Sequence, residues 1–209
     1  MGKGREWLVP LTGVLFVVLL IISFVVVGEE PPTVSDSTAR ELVEFYGDNE
    51  GAVIASAAIA TVGAAAFIFF FGYVRKVLRA TEGEGGMLSM VAFAGAVVFA
   101  TGVAIDSTIS FALADAADDI DPAAVQALVA LFQNDFVPLA LGLQVLLLAT
   151  GISVVRHGAL PKWLGWIAIL LAVIAVTPAG FVAFLGAGVW VLIVSVVLSL
   201  RARKALPAG

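Results

Sequence analysis

The chain has 209 residues, of which 61% are hydrophobic and only 13% charged, with a formal net charge of −5. Soluble domains carry about 25% charged residues, so this composition excludes an ordinary soluble domain and indicates a membrane protein. There is no cysteine and a single histidine, which excludes disulfides, thiolate metal sites and a bis-histidine haem.

A helix needs roughly 20 apolar residues to cross about 30 Å of hydrocarbon. Six stretches qualify in chain order: Leu8–Val27, Ala52–Tyr73, Met87–Ala112, Leu128–Val155, Trp163–Thr177 and Phe181–Leu200. The fifth is short. Alternating strands of the barrel type are absent, so the expected fold is all-α, a polytopic transmembrane helical bundle forming one domain over residues 1–209. Lys3 and Arg5 before the first apolar run resemble a signal peptide. The run is long, however, and ends in "VVVGEEPP" without a cleavage pattern, so it reads as an uncleaved anchor.

With six spans, Lys3, Arg5, Arg75, Lys76, Arg79, Arg156, Lys162, Arg201, Arg203 and Lys204 share one side, and Arg40 alone lies opposite. The positive-inside rule then places both termini, with the 201–209 tail, in the cytoplasm of a multi-pass protein of the plasma (inner) membrane. Eleven acids face outward against Arg40, a net −10: Glu29, Glu30, Asp36, Glu41, Glu44, Asp48, Glu50, Asp115, Asp118, Asp119 and Asp121. The basic residues are short clusters at helix ends, suited to anionic headgroups rather than to nucleic acid.

The 28–50 loop contains "TARE", a capping box from Thr38 to Glu41, followed by Leu42, Phe45 and Tyr46 at helical spacing. This predicts a short amphipathic helix, packed on its neighbours or lying on headgroups. Counting about 20 residues outward from Met87, and back from Arg156, puts Asp106 and Asp135 at one level near the outer boundary. Helices three and four therefore extend beyond the outer face as a hairpin with an acidic tip at 107–127, and Asp121-Pro122 starts its second arm.

Asp106 and Asp135 are the only acids within or at the edge of the apolar spans, and ionisable residues there are functional candidates. With Gln133, Asn134, Ser107 and Thr108 as neutral oxygen ligands they suggest an ion or proton site, against the alternative of a wet interface. Pro138 removes a backbone donor and predicts a kink. No catalytic residue emerges: "EGEGG" lacks the strand, spacing and lysine of a phosphate loop, and no Gly-x-Ser-x-Gly elbow occurs. "AID" and "QND" also lack the flanking residues of intramembrane aspartyl proteases. Metal sites and cofactors are accordingly not expected.

Small residues recur at four-residue spacing in Gly51–Ala55, Ala60–Ala64, Ala96–Ala100 and Ala183–Ala187, which lets helices approach closely within one chain, a homo-oligomer or a partner. Trp163 and Trp166 suit an interfacial belt. The order of elements, with "EFYGDNEG" closing the outer loop, a basic turn, a helical hairpin and then "LPKWLGW", resembles a bacterial family of uncharacterised six-helix integral membrane proteins. That resemblance implies a membrane protein and assigns no reaction. The expected function is noncatalytic engagement of a membrane partner protein or lipid; the alternative is a cation- or proton-linked small-solute transporter using outer-leaflet carboxylates.

Overall fold

The structure, a computed structural model, describes residues 3–83, 85–117 and 119–204. It is 84% helical with no strand among the described residues. Asp118, counted above with the acidic tip, Glu84 of the "EGEGG" turn, and tail residues 205–209 lie outside the described residues.

A 3₁₀ segment, Lys3–Leu11, leads into α1, Thr12–Val27. Pro10 has no N–H to give to an α-helical bond, which accounts for the tighter winding there. Gly28 ends α1 in the left-handed conformation, with φ 74° and its N–H donating to the Val25 carbonyl. The remaining helices are α2, Ala39–Asp48; α3, Glu50–Glu82; α4, Met87–Ala116; α5, Pro122–Phe132; α6, Phe136–His157; α7, Lys162–Ile174; and α8, Gly180–Lys204.

Five of these segments are long and apolar enough to cross a membrane: Glu6–Val27, Glu50–Glu82, Met87–Ala116, the stacked pair Pro122–His157, and Gly180–Lys204. The fifth predicted span is shorter than expected. Its helix, α7, has 13 residues, which at 1.5 Å per residue reach only about 20 Å. Large apolar side chains face outward all round the bundle, among them Phe24, Phe69 and Phe181 at 69%, 68% and 72% exposure. In water such a surface would aggregate; against lipid tails it is at home.

Lys76, Arg201 and Arg203 are tied together at one end of the bundle through the N-terminal segment and the turn before α7. Lys76 pairs with Glu6 at 3.0 Å, the Arg203 guanidinium lies over the Trp7 ring, and Ser199 Oγ donates to the Trp7 carbonyl at 2.9 Å. Arg201 donates to the Ala159 carbonyl at 2.8 Å, tying α8 to the turn before α7. The first and last helices thus meet at this basic end.

Two cores fill the molecule. The larger is aromatic at its centre, where Phe16, Phe67 and Phe99 cluster, with ring centroids 4.5 Å apart for Phe16–Phe67 and 5.0 Å for Phe67–Phe99. Backbones approach most closely between α4 and α6. A methyl group on Gly95 would lie 2.6 Å from the Leu146 nitrogen, and one on Gly142 would overlap the Phe99 backbone. Of the small-residue pairs in the sequence, Ala96–Ala100 and Ala183–Ala187 are buried. Gly51 is exposed, and a methyl group on it would meet nothing within 4 Å.

The smaller core sits at the acidic end. Leu42 and Tyr46 of α2 are buried with Ile109 and Leu113 of α4, and with Val125 and Val129 of α5. The apolar face of α2 is therefore turned onto the α4–α5 hairpin. Its start is fixed by both halves of the capping box: Glu41 N–H donates to Thr38 Oγ1 at 3.3 Å, and Thr38 N–H donates to Glu41 Oε2 at 2.7 Å. Asp121 caps α5 by accepting from Ala123 N–H at 2.8 Å, and Pro122 follows in the first turn.

The fourth long helix is interrupted rather than kinked. A turn at 133–135 separates α5 from α6, and Pro138 falls in the first turn of α6, where its missing N–H has no intrahelical acceptor to lose. Asn134 donates its side-chain amide to the Ala130 carbonyl at 2.7 Å, closing the end of α5.

Candidate functional site

Between the aromatic centre and the acidic head lies a cavity of about 320 Å³. Its walls come from the end of α1, the start of α3, the α2 ring of Tyr46, the middle of α4, and single residues of α5, α6 and α8. Most of the lining is apolar, including Phe24, Phe132, Leu139 and Phe184. Toward the basic end it is floored by the phenyl cluster, onto which Phe184 stacks through Phe99 at 6.2 Å.

Among the described residues, the cavity's one charged side chain is Asp106 on α4, and no lysine, arginine or histidine lines it. Tyr46 shares the wall. It is 2% exposed, and its hydroxyl has no hydrogen-bond partner among the described residues. Burial, reinforced by the negative charge of Asp106, pushes the Tyr46 hydroxyl up to about 12. Three serines complete the polar part, but their protons are already engaged. Ser23 Oγ donates to Leu20 O, Ser56 Oγ to Ser23 O across α3 and α1, and Ser110 Oγ to Asp106 O.

Sequence proximity grouped Asp106 with Ser107 and Thr108, and helix geometry separates them. Residues one and two positions on point away from Asp106, whereas Ser110 at i+4 shares its face and lines the cavity. Ser107 is buried elsewhere, its hydroxyl without a hydrogen-bond partner among the described residues. Thr108 is exposed and bonds back to the Ala104 carbonyl at 2.8 Å.

Asp135 lies in the turn before α6, outside the cavity lining but within electrostatic reach of Asp106. Its Oδ2 is buried and has no hydrogen-bond partner among the described residues. Gln133 and Asn134 are exposed. No group of three or more His, Cys, Asp or Glu that could hold a metal occurs among the described residues.

Beside the cavity, a second and more open recess of about 590 Å³ lies on the outside of the bundle. It exists because α7 stops at Ile174. The 175–179 turn leaves the first turns of α6 and α8 without a neighbour, exposing Phe136 and Phe181. Phe24, Leu139 and Phe184 border both spaces.

Sequence reasoning missed Tyr46 as a site residue, treating it only as part of an apolar helix face. Its polar tip beside a buried carboxylate depends on tertiary packing between α2 and α4, which no local pattern reports.

Fold and site together define an all-helical protein with helices fit to cross a membrane and a carboxylate-bearing, otherwise apolar cavity near one end. Comparison with family models, with curated proteins and with solved structures finds no match. The likeness to six-helix bacterial membrane proteins therefore rests on the quoted residues alone.

Proposed function

We propose that the protein is a noncatalytic, multi-pass component of the plasma membrane that engages a lipid or a membrane partner, with lipid the better supported. The observation that carries this reading is the apolar recess bordering a cavity that, among the described residues, holds one carboxylate and a tyrosine hydroxyl without a hydrogen-bond partner. Ligand sites are concave, mostly apolar and furnished with few polar groups, and they commonly exceed about 300 Å³.

Six spans with both termini in the cytoplasm fit this reading. Ten of the eleven basic residues fall at one end of the bundle in that arrangement, and the contact of Trp7 with Ser199 and Arg203 supports an even number of passes, with α7 as the short one. The acidic head of α2, the α4 end and α5 then stands beyond the outer face.

Native mass spectrometry of protein extracted gently from its own membrane tests the proposal. Retained lipid or a stoichiometric second polypeptide is expected. A bare chain, together with unchanged association when the recess is filled by Leu139→Trp, would overturn it. The second reading, cation- or proton-linked transport, is favoured by the placement of Asp106 in the cavity with Asp135 nearby. It requires that Asp106→Asn with Asp135→Asn abolish flux in vesicles without loss of folding.

A further inference from the structure

We infer that the cavity and the recess beside it form one site for a single-chain cationic amphiphile, its amine head against Asp106 and Tyr46 and its hydrocarbon tail along the recess. The inference rests on the lipid-binding reading above and names the ligand's chemistry.

Four properties of the site select this class. The first is charge. Asp106 has no basic partner among the described lining residues, and the surrounding head is acidic, so its field favours a cation over an anionic or neutral head. The second is the donor set. A bare divalent cation asks for six or more oxygens, usually with several carboxylates among them, and the described lining holds one carboxylate. The three serines give their protons to backbone carbonyls and so offer a ligand lone pairs only, which suits a donor-rich head. An alkylammonium carries one charge and three N–H donors, which one carboxylate and the tyrosine and serine lone pairs can accept.

The third is aromatic lining. Phe24, Tyr46, Phe132 and Phe184 line the same cavity as the carboxylate, and ring faces attract ammonium groups, most of all where water is excluded. The fourth is continuity. Phe24, Leu139 and Phe184 border both the cavity and the recess, so a head in the first has its tail led directly into the second. A tail so placed fills the recess with van der Waals contacts that a tail-less amine cannot make.

The test uses the full-length protein in digitonin micelles and native mass spectrometry with three probes of equal chain length: dodecylamine, dodecanol and dodecanoate. Dodecylamine should be retained at least tenfold better than either of the others, and methylamine not at all. Asp106→Asn should bring dodecylamine down to the dodecanol level while Asp119→Asn, at the exposed tip, leaves it unchanged. Tyr46→Phe, which keeps the ring and its packing, should weaken the amine severalfold.

Equal retention of amine and alcohol by the unmodified protein overturns the inference without recourse to any variant, as does undiminished amine binding by Asp106→Asn. Retention of native lipid with no preference for amine would leave the proposed function standing and remove this inference alone. Retention of no lipid and no probe would remove this inference and the lipid reading of the proposed function together.

Discussion

Glu82, the last residue of α3, accepts a hydrogen bond from Ser153 Oγ on α6 through one carboxylate oxygen, and from the Ser89 backbone N–H at the start of α4 through the other, at 3.1 Å. One side chain thus joins three helices at the basic end. Ser153 is fully buried and Ser89 is in the first turn of α4, where N–H groups have no intrahelical acceptor. Removing the carboxylate strands both donors. Hydrogen bonds to charged groups contribute about 1.5–3 kcal/mol each, and a buried orphan donor costs a similar amount. Glu82→Ala should destabilise the protein by about 2–4 kcal/mol in thermal unfolding in detergent. Glu82→Gln, which keeps one acceptor oxygen, should lose roughly half as much; equal stability of all three forms would show that the network contributes nothing.

The α4–α6 contact predicts an asymmetry among glycines. A side chain on Gly142 meets the Phe99 backbone, which has no rotamer by which to yield, whereas Gly51 has open space. Gly142→Val should cost about 1–3 kcal/mol or more by forcing the helices apart. Gly51→Ala should stay within about 0.5 kcal/mol of the unmodified protein. Thermal melts of the two variants, run side by side, check the difference in sign and size.

These two predictions also mark how far the sequence could be read. Helix positions were legible because spans of apolar residues and the clustering of arginine and lysine at their ends are local properties of the chain. The capping box at Thr38 and the Asp121-Pro122 start were legible for the same reason, since each is completed within a few residues. Pro138 pointed to a disturbance of the helix, but a proline in an apolar run reads alike as a kink or as a first turn, and only the turn at 133–135 shows which form it takes. The Glu82–Ser153 bond spans 71 positions, and the cavity joins Tyr46 to Asp106 across a similar distance, so neither leaves a periodic trace. The extent of α7 was overestimated because Ala175 and Val176 remain apolar after the helix has ended.

The neighbourhood of Tyr46 is open to a spectroscopic check, because the chain has only two tyrosines. With its hydroxyl at about 12, raised first by burial and then by Asp106, the neutral phenol is the form the folded state favours. Its contribution to stability is complete below the ordinary value of about 10 and is lost as the pH rises through about 12. Absorbance titration of the tyrosinate should show Tyr46 ionising near 12. In Asp106→Asn its midpoint should fall but remain above about 10, since burial is the larger cause. A midpoint unmoved by the substitution would separate Asp106 from Tyr46.

The cap of α2 gives the opposite sign. Thr38 donates to Glu41 from both its backbone N–H and its hydroxyl, and these bonds hold the Glu41 carboxyl below the usual carboxylate range. A depressed value contributes stability that is present above the unfolded-state value and is lost as the pH falls through the folded one. Amide exchange at residues 38–42 should therefore quicken between about pH 5 and pH 3, roughly the carboxylate range, beyond the chemical rate. In Thr38→Ala that acceleration should already be present at neutral pH. Unchanged protection at acid pH would mean that packing of Leu42 and Tyr46 alone holds the helix.

The short α7 leads to a prediction about depth and orientation together. With about 20 Å of helix it falls short of the hydrocarbon thickness, so the 175–179 turn should lie below the level of the 133–135 turn and within reach of lipid rather than bulk water. The absence of native cysteine makes single-cysteine labelling clean. In intact cells, a membrane-impermeant maleimide should label Asp119→Cys and Asn134→Cys rapidly, since both positions are exposed at the acidic end. Arg79→Cys at the basic end should label only after permeabilisation. Thr177→Cys, although exposed in the isolated bundle, should label at least tenfold more slowly than Asn134→Cys, because its neighbours Val176, Phe181 and Val182 form an exposed apolar surface suited to lipid. Rapid labelling there would mean that the α7–α8 turn reaches water and that the recess beside it opens to solvent, not to the bilayer. Labelling of Arg79→Cys before permeabilisation would instead invert the orientation and put the acidic head inside.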